Sequence, residues 1–302
     1  MEDTSQILVS TYSGDQAENK KAKILTKKTA RLILKGIGIA LILIWTLLPI
    51  YWMCSLAIRS NAELGSSLGF LPKSFTMAHF TELIIKNRFF MSIKNSLIVS
   101  VVALVISMVT GISCSYVFSR VRYRYRLKGL ELFIVLLIRI LPPIAFALPL
   151  YIMMNRIGIL STRLPVILTN CLINIPFIIW FMLSFFEKIS TEIEESAQVD
   201  GANNLQIFTY VVFPQILPGM AAIGILSFMN SWNEYLYSVI FVQNPNQFTV
   251  PLTLATLNSE QELTQWGNVA AGGILSLLPI LIFVIFMQRF MIEGLSGGAL
   301  KE

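Results

Sequence analysis

The sequence predicts an all-α, polytopic membrane protein with six transmembrane helices, and three observations predict it. Of its 302 residues 55% are hydrophobic and only 13% are charged. A soluble domain carries about a quarter charged residues. Six stretches are also long and apolar enough to cross a bilayer, which takes roughly 20 residues each. Lipid is therefore the solvent that this composition suits.

The first stretch runs from Lys35 to Ile58 and is closed by Arg59. The others span Asn95 to Phe118, Gly129 to Met154, Leu164 to Phe186, Leu217 to Val242 and Val269 to Met291. Core helices of soluble proteins are shorter and show a polar face; these mostly show none. Pro142, Pro143 and Pro149 interrupt the third stretch, Pro176 the fourth and Pro279 the sixth. Each proline removes a backbone donor, which is tolerated at membrane depth where protein or water satisfies the freed carbonyl. One such proline reads as a packing kink. Together they read as a bundle that is more than an anchor.

Charge placement predicts orientation. Seven Lys/Arg lie within the first 35 residues and five more between Arg120 and Lys128. With the amino terminus inside, fifteen basic residues fall on the cytoplasmic side and seven outside. Basic residues orient a membrane protein, so both termini are expected in the cytoplasm. Residues 1–30 are polar and are expected to form a disordered cytoplasmic tail, with residues 31–302 as the membrane domain. Nucleic-acid binding by the basic clusters is disfavoured, since no soluble domain presents them. Cys54, Cys114 and Cys171 stand alone in apolar stretches, and His79 is the only histidine, so no metal site is expected.

The segment 187–216, between the fourth and fifth stretches, is patterned rather than linker-like. Thr191 can cap a helix, with Glu194 three residues on completing a capping box. Glu192, Glu194 and Glu195 then fall in the first turn, where the helix dipole favours negative charge. Gly201 suits the left-handed stop, and a second helix from Ala202 to Phe213 is expected to end before Pro214. Ile193, Ala197 and Gly201 share a face at four-residue spacing. An acidic helix of this kind suits a soluble partner better than an anionic leaflet.

Glu195-Ser196-Ala197, three spacers, Gly201, nine spacers and Val211-Val212-Phe213-Pro214 resemble the EAA loop of bacterial ABC importer permeases (E-A-A, three spacers, G, nine spacers, I-x-L-P). Ser196, Val211 and Phe213 depart mildly from that pattern. Asp200-Gly201-Ala202, Ser231-Trp232-Asn233-Glu234-Tyr235 and the tail Glu293 to Lys301 resemble the maltose-type carbohydrate branch. The resemblance covers roughly residues 32–302 and implies the type I ABC importer permease fold, in a bacterial cytoplasmic membrane. It implies a second homologous permease, two ATPase subunits, an extracytoplasmic solute-binding protein and a sugar substrate as partners. ATP and Mg are then used by the ATPase subunits, with no cofactor on this chain; consistently, it has no G-x-x-x-x-G-K-[ST] motif. The resemblance assigns coupling to the ATPase to Glu195, Ser196, Ala197, Asp200, Gly201 and Pro214.

Within the stretches, Arg139 is the most costly residue to insert, at roughly 2.5–3.5 kcal/mol or more. It lines a path, pairs with Glu131 two turns away, reaches Glu234, or stabilises the subunit pair. Asn230, Trp232, Asn233 and Glu234 form the densest polar and aromatic cluster in any stretch, and amide, carboxylate and indole groups suit a sugar. Trp also belts membrane interfaces. Three rival readings stand beside the sugar importer. An amino-acid or peptide importer would share the EAA loop. A secondary transporter would need repeats or ion sites that the sequence lacks. A membrane enzyme would need clustered carboxylates or histidines at one interface.

Overall fold

In a computed structural model of the chain, the described residues are 3–66, 69–121, 133, 135, 137–138, 140–258 and 265–298. Side chains are described between Arg31 and Met291 within those ranges, apart from Val121, Asn258 and Gln265. Every regular element among the described residues is helical.

Two units are distinguished, residues 1–55 and 56–302. The first is formed by helix α1, Asp3–Ile58, most of which it contains. Residues Arg31–Ile58 of α1 have a mean hydropathy of 2.2, and Leu32, Leu34, Ile42 and Trp45 are exposed on different sides of it. A helix apolar all round is suited to lipid. The helix reaches back through the stretch expected to be a disordered tail. Those residues include many strong helix formers, no proline and a single glycine, Gly14.

The second unit holds α2 (Asn61–Leu64), α3 (Ala78–Ile85), α4 (Phe89–Val121), α5 (Ile144–Arg156), α6 (Leu164–Phe186) and α7 (Thr191–Val199). Then come α8 (Asn204–Gln206), a π-helical turn (Ile207–Val212), α9 (Phe213–Trp232), α10 (Leu236–Phe241), a 3-10 turn (Pro245–Gln247), α11 (Val250–Asn258) and α12 (Gln265–Gly298).

Among the described residues, five helical stretches are long and apolar enough to cross a membrane: Arg31–Ile58, Phe89–Arg120, Leu164–Phe186, Asn204–Phe241 and Trp266–Met291. They match five of the six expected spans. For the third, the described helix is α5, which has 13 residues. At 1.5 Å per residue it covers about 20 Å, less than the roughly 30 Å hydrocarbon core. The chain breaks before it at Leu141–Pro143, where two consecutive prolines stop a helix. Part of that expected span lies outside the described residues.

The bundle is built on α4, which packs chiefly against α6 and also against α9. The α4 face turned inward is a run of small residues at helical spacing: Ser96, Ser100, Ala103, Ser107, Gly111 and Ser115. Lipid gives helices no hydrophobic reason to associate, so close packing of small residues and interhelical hydrogen bonds do that work. Both are present. A Cβ on Gly111 would lie 2.7 Å from Ile178 Cγ2 of α6, and the Ser115 hydroxyl lies 3.2 Å from the Ile179 carbonyl.

At the end of the bundle remote from α7, a polar clasp ties the loop after α1 to α12. Arg59 is fully buried, donates to the Gly69 carbonyl at 2.6 Å and lies 3.5 Å from Glu63. Glu63 accepts from the Ser74 hydroxyl and from the Lys73 and Ser74 amides. The Ser74 hydroxyl, the two amides and the Arg59 charge together hold its carboxyl below the usual range against the opposing effect of burial. His79 donates from Nε2 to the Arg59 carbonyl at 2.8 Å, because a carbonyl can only accept. Its Nδ1 meets Asn268 Oδ1 of α12 at 2.9 Å. The only histidine is thus a tether between loop and helix.

Candidate functional site

The loop between α6 and α9 owes its shape to local chemistry. Ser190 caps α7, its hydroxyl accepting from the Glu192 amide at 3.2 Å. The expected cap was Thr191, which instead occupies the first helical position. Two hydroxyls stood side by side, and Ser190 is the one with extended backbone, φ −62° and ψ 133°. The shift removes the expected capping box and frees Glu194 for another use.

At the other end α7 stops as expected at Gly201, whose φ of +87° suits a residue without a Cβ. The Gly201 amide donates to the Gln198 carbonyl and the Ala202 amide to the Ala197 carbonyl, both at 3.0 Å. This pair of bonds is the Schellman stop, and it satisfies two of the helix's last carbonyls.

The second helix of the loop differs from expectation. Asn203 and Gln206 cap each other's amides at 2.9 and 2.8 Å, and helix then continues through Pro214 rather than ending before it. The π turn makes this feasible. The Phe213 amide reaches back five residues to the Phe208 carbonyl, a new α-register begins, and Pro214 falls in its first turn, where an amide donor is not needed.

Glu195, Ser196, Asp200 and Gly201 are exposed, and Ala197 is half-buried. The face expected to unite Ile193, Ala197 and Gly201 is split. Ala197 packs on the apolar floor made by Ile189, Ile207 and Val212, whereas Ile193 stays 47% exposed. Val199, Leu205 and Tyr210 are 87%, 72% and 78% exposed. Large apolar side chains and the acidic Glu192, Glu195 and Asp200 are therefore exposed on the same loop.

Glu194 does something the sequence did not suggest. It is buried and receives Arg120, at the end of α4, through Nε at 2.9 Å and through Nη2. The Tyr116 hydroxyl donates to its other oxygen at 2.9 Å. Arg120 also donates from Nη1 to the Phe186 carbonyl at the end of α6. Tyr116 packs on Phe186 and Phe208, with ring centroids 5.5 and 5.1 Å away. Arg120 counted in the sequence only as one of a basic cluster. The available signal was that it lies four residues after Tyr116, one helical turn.

The second candidate cluster lies where the fifth expected span breaks. Helix stops at Trp232 and resumes at Leu236, with Glu234 capping the new start. Its oxygens accept from the Tyr237 amide at 2.6 Å and from the Ser238 amide and hydroxyl at 3.1 and 2.9 Å. The break is held from below as well, since the Tyr237 hydroxyl donates to the Pro143 carbonyl at 2.7 Å. Asn230 is exposed and donates to Asn174 of α6 at 2.9 Å, and Asn174 donates to Ser231 at 2.9 Å. Asn233 is exposed. Trp232 belongs elsewhere: it is 2% exposed and stacked on Phe228, a core position. Arg139 and Glu131 lie outside the described residues.

Comparison with known proteins places these features in context. A family model described as "Binding-protein-dependent transport system inner membrane component" matches residues 107–294, which include α7, Gly201 and the broken fifth span. The chain is 31% identical over 267 residues to the inner membrane ABC transporter permease protein YcjP of Escherichia coli (strain K12), covering 87% of this chain and 94% of the relative. It is 30% identical to the diacetylchitobiose uptake system permease protein DasC of Streptomyces coelicolor, covering 84% and 91%. In fold it is similar to a chain of a bacterial ABC transporter involved in the import of the acidic polysaccharide alginate. The TM-score is 0.71 at 23% identity, covering 85% of this chain and 95% of that one.

Proposed function

Because the chain belongs to the binding-protein-dependent transport system inner membrane components, we propose that it is a permease subunit of an ATP-binding cassette importer carrying a sugar or oligosaccharide into the cytoplasm. The family's work is transport, so this chain conducts and does not catalyse. In this reading a second homologous permease completes the path, and two separate subunits hydrolyse ATP with Mg. An extracytoplasmic binding protein delivers the sugar. The family description itself names a binding protein, and the name of the DasC relative specifies an oligosaccharide.

The observation that carries the reading is α7. A short helix stands between two spans, closed by a left-handed glycine, with Glu195, Ser196 and Asp200 outward beside exposed Val199 and Leu205. Its role is to seat in a cleft of an ATPase subunit. The basic-residue asymmetry supports a cytoplasmic position for this loop and for both termini, the residue 1–30 segment included. Six spans follow if α5 and the stretch before it cross together.

The sugar path is assigned to the break in the fifth span. Irregular backbone at membrane depth is tolerated where it lines a cavity or is buried in protein, and broken helices mark binding sites in transporters. Asn230 and Asn233 face outward there, Glu234 holds the break open, Arg139 is proposed to line the same path, and Trp232 packs behind.

The test is uptake by the importer reconstituted in lipid vesicles with its binding protein, offered diacetylchitobiose, trehalose, maltose and amino acids as labelled probes. ATP-dependent accumulation of a sugar is expected. Uptake of amino acids alone, or accumulation that ignores ATP, would contradict the assignment.

A further inference from the structure

We infer that Tyr116, Arg120 and Glu194 form a latch that makes α7 and α4 move as one body, so that displacement of the docking helix by the ATPase is delivered to α4. The inference rests on the functional reading above and adds a transmission route to it.

Residues 187–190 join α7 to α6, and residues 200–203 join it to the helix that becomes α9. Neither connection involves α4, although α4 is the helix around which the bundle packs. The Glu194 carboxylate closes that gap. Both its oxygens are engaged from α4, one by the Arg120 fork and the other by Tyr116. Arg120 and Glu194 side chains are only 18% and 10% exposed, so water screens the pair weakly. An Arg fork on a carboxylate also fixes direction, which a point charge does not.

The latch includes α6 as well. Arg120 bonds the last carbonyl of α6 at 3.2 Å, and its guanidinium lies 5.5 Å from the Tyr116 ring. Groups from α4, α6 and α7 therefore meet around the Arg120 guanidinium. Neighbouring Glu195 is exposed and free to face a partner. The two adjacent glutamates thus divide the work, one gripping the bundle and one presented outward.

The test places spin labels at Gln198 of α7 and Ser113 of α4, both exposed, in the assembled importer with the three native cysteines replaced. Distances are read without nucleotide and with Mg·AMP-PNP. The wild-type distance is expected to stay unchanged between the two states. In Arg120→Gln it is expected to shift with nucleotide by about 5 Å, the one-turn scale of helix sliding. If that variant does not assemble, Arg120→Lys, which keeps the charge but not the fork, is read in its place. The exchange Arg120→Glu with Glu194→Arg is expected to restore the fixed distance.

Two results overturn the latch: α7 parting from α4 in the wild type on nucleotide binding, or an assembled Arg120 variant whose distance stays fixed. If instead no ATP-hydrolysing subunit copurifies with the wild-type chain, the importer assignment fails and the latch falls with it. Copurification therefore separates the two failures.

Discussion

Gly201→Asp is expected to abolish ATP-driven uptake while the chain still inserts in the membrane. At φ +87° an L-residue is strained, at a cost of about 1–2 kcal/mol for the left-handed conformation. A Cβ would meet nothing within 4 Å, so steric overlap is not the cause. Two other effects act together. Relieving the strain loosens the Gly201 and Ala202 amide bonds that stop α7, which changes the angle at which the helix leaves the bundle. The new carboxylate also sits beside Asp200 at the negative end of the helix dipole, on the surface offered to the partner. Gly201→Asn tests both causes together, because asparagine tolerates the left-handed conformation and adds no charge. It is expected to retain most of the uptake. Equal loss in both variants would show that the glycine matters for a reason other than charge and turn geometry.

Gly111→Leu is expected to be the most damaging single change for assembly. The first carbon of the new side chain would lie 2.7 Å from Ile178 Cγ2 and 2.9 Å from Ile178 Cβ. A β-branched neighbour cannot swing those atoms away, so α4 and α6 must part. Overpacking costs typically about 1–3 kcal/mol, and here it falls on the main helix pair of the bundle. Lower yield and an earlier thermal transition in detergent are expected, with Gly111→Ala intermediate. Wild-type stability of the leucine variant would mean that α4 and α6 do not pack this closely.

Much of this molecule is legible in its sequence, because lipid imposes a length and an apolarity that composition alone reveals. The span from Leu164 to Phe186 coincides with α6 at both ends. Gly201 was readable as a stop because few residues accept its backbone. Other features depended on partners distant in sequence. Glu194 and Glu195 look alike in the chain, and only the approach of Arg120 from α4, 74 residues earlier, distinguishes them. The helix after Gly201 was expected to end before Pro214 on the ordinary behaviour of proline, and the π turn before it removed the conflict. The break after Trp232 was hidden because apolar helix lies on both sides of its polar cluster and its cap, Glu234, is spaced like any polar residue in a helix. The small-residue face of α4 looks like ordinary membrane sequence, since serine and glycine there stand out only once Ile178 is seen against them.

The central claim is that α7 seats in a separate ATP-hydrolysing subunit. A photo-activatable cross-linker at Ser196, an exposed residue of α7, tests it most directly in native membranes. The predicted product joins this chain to an ATPase subunit and diminishes when Gly201 is replaced by Asp. Cross-links to lipid or to this chain alone, with no nucleotide-hydrolysing protein among the products, would contradict the claim.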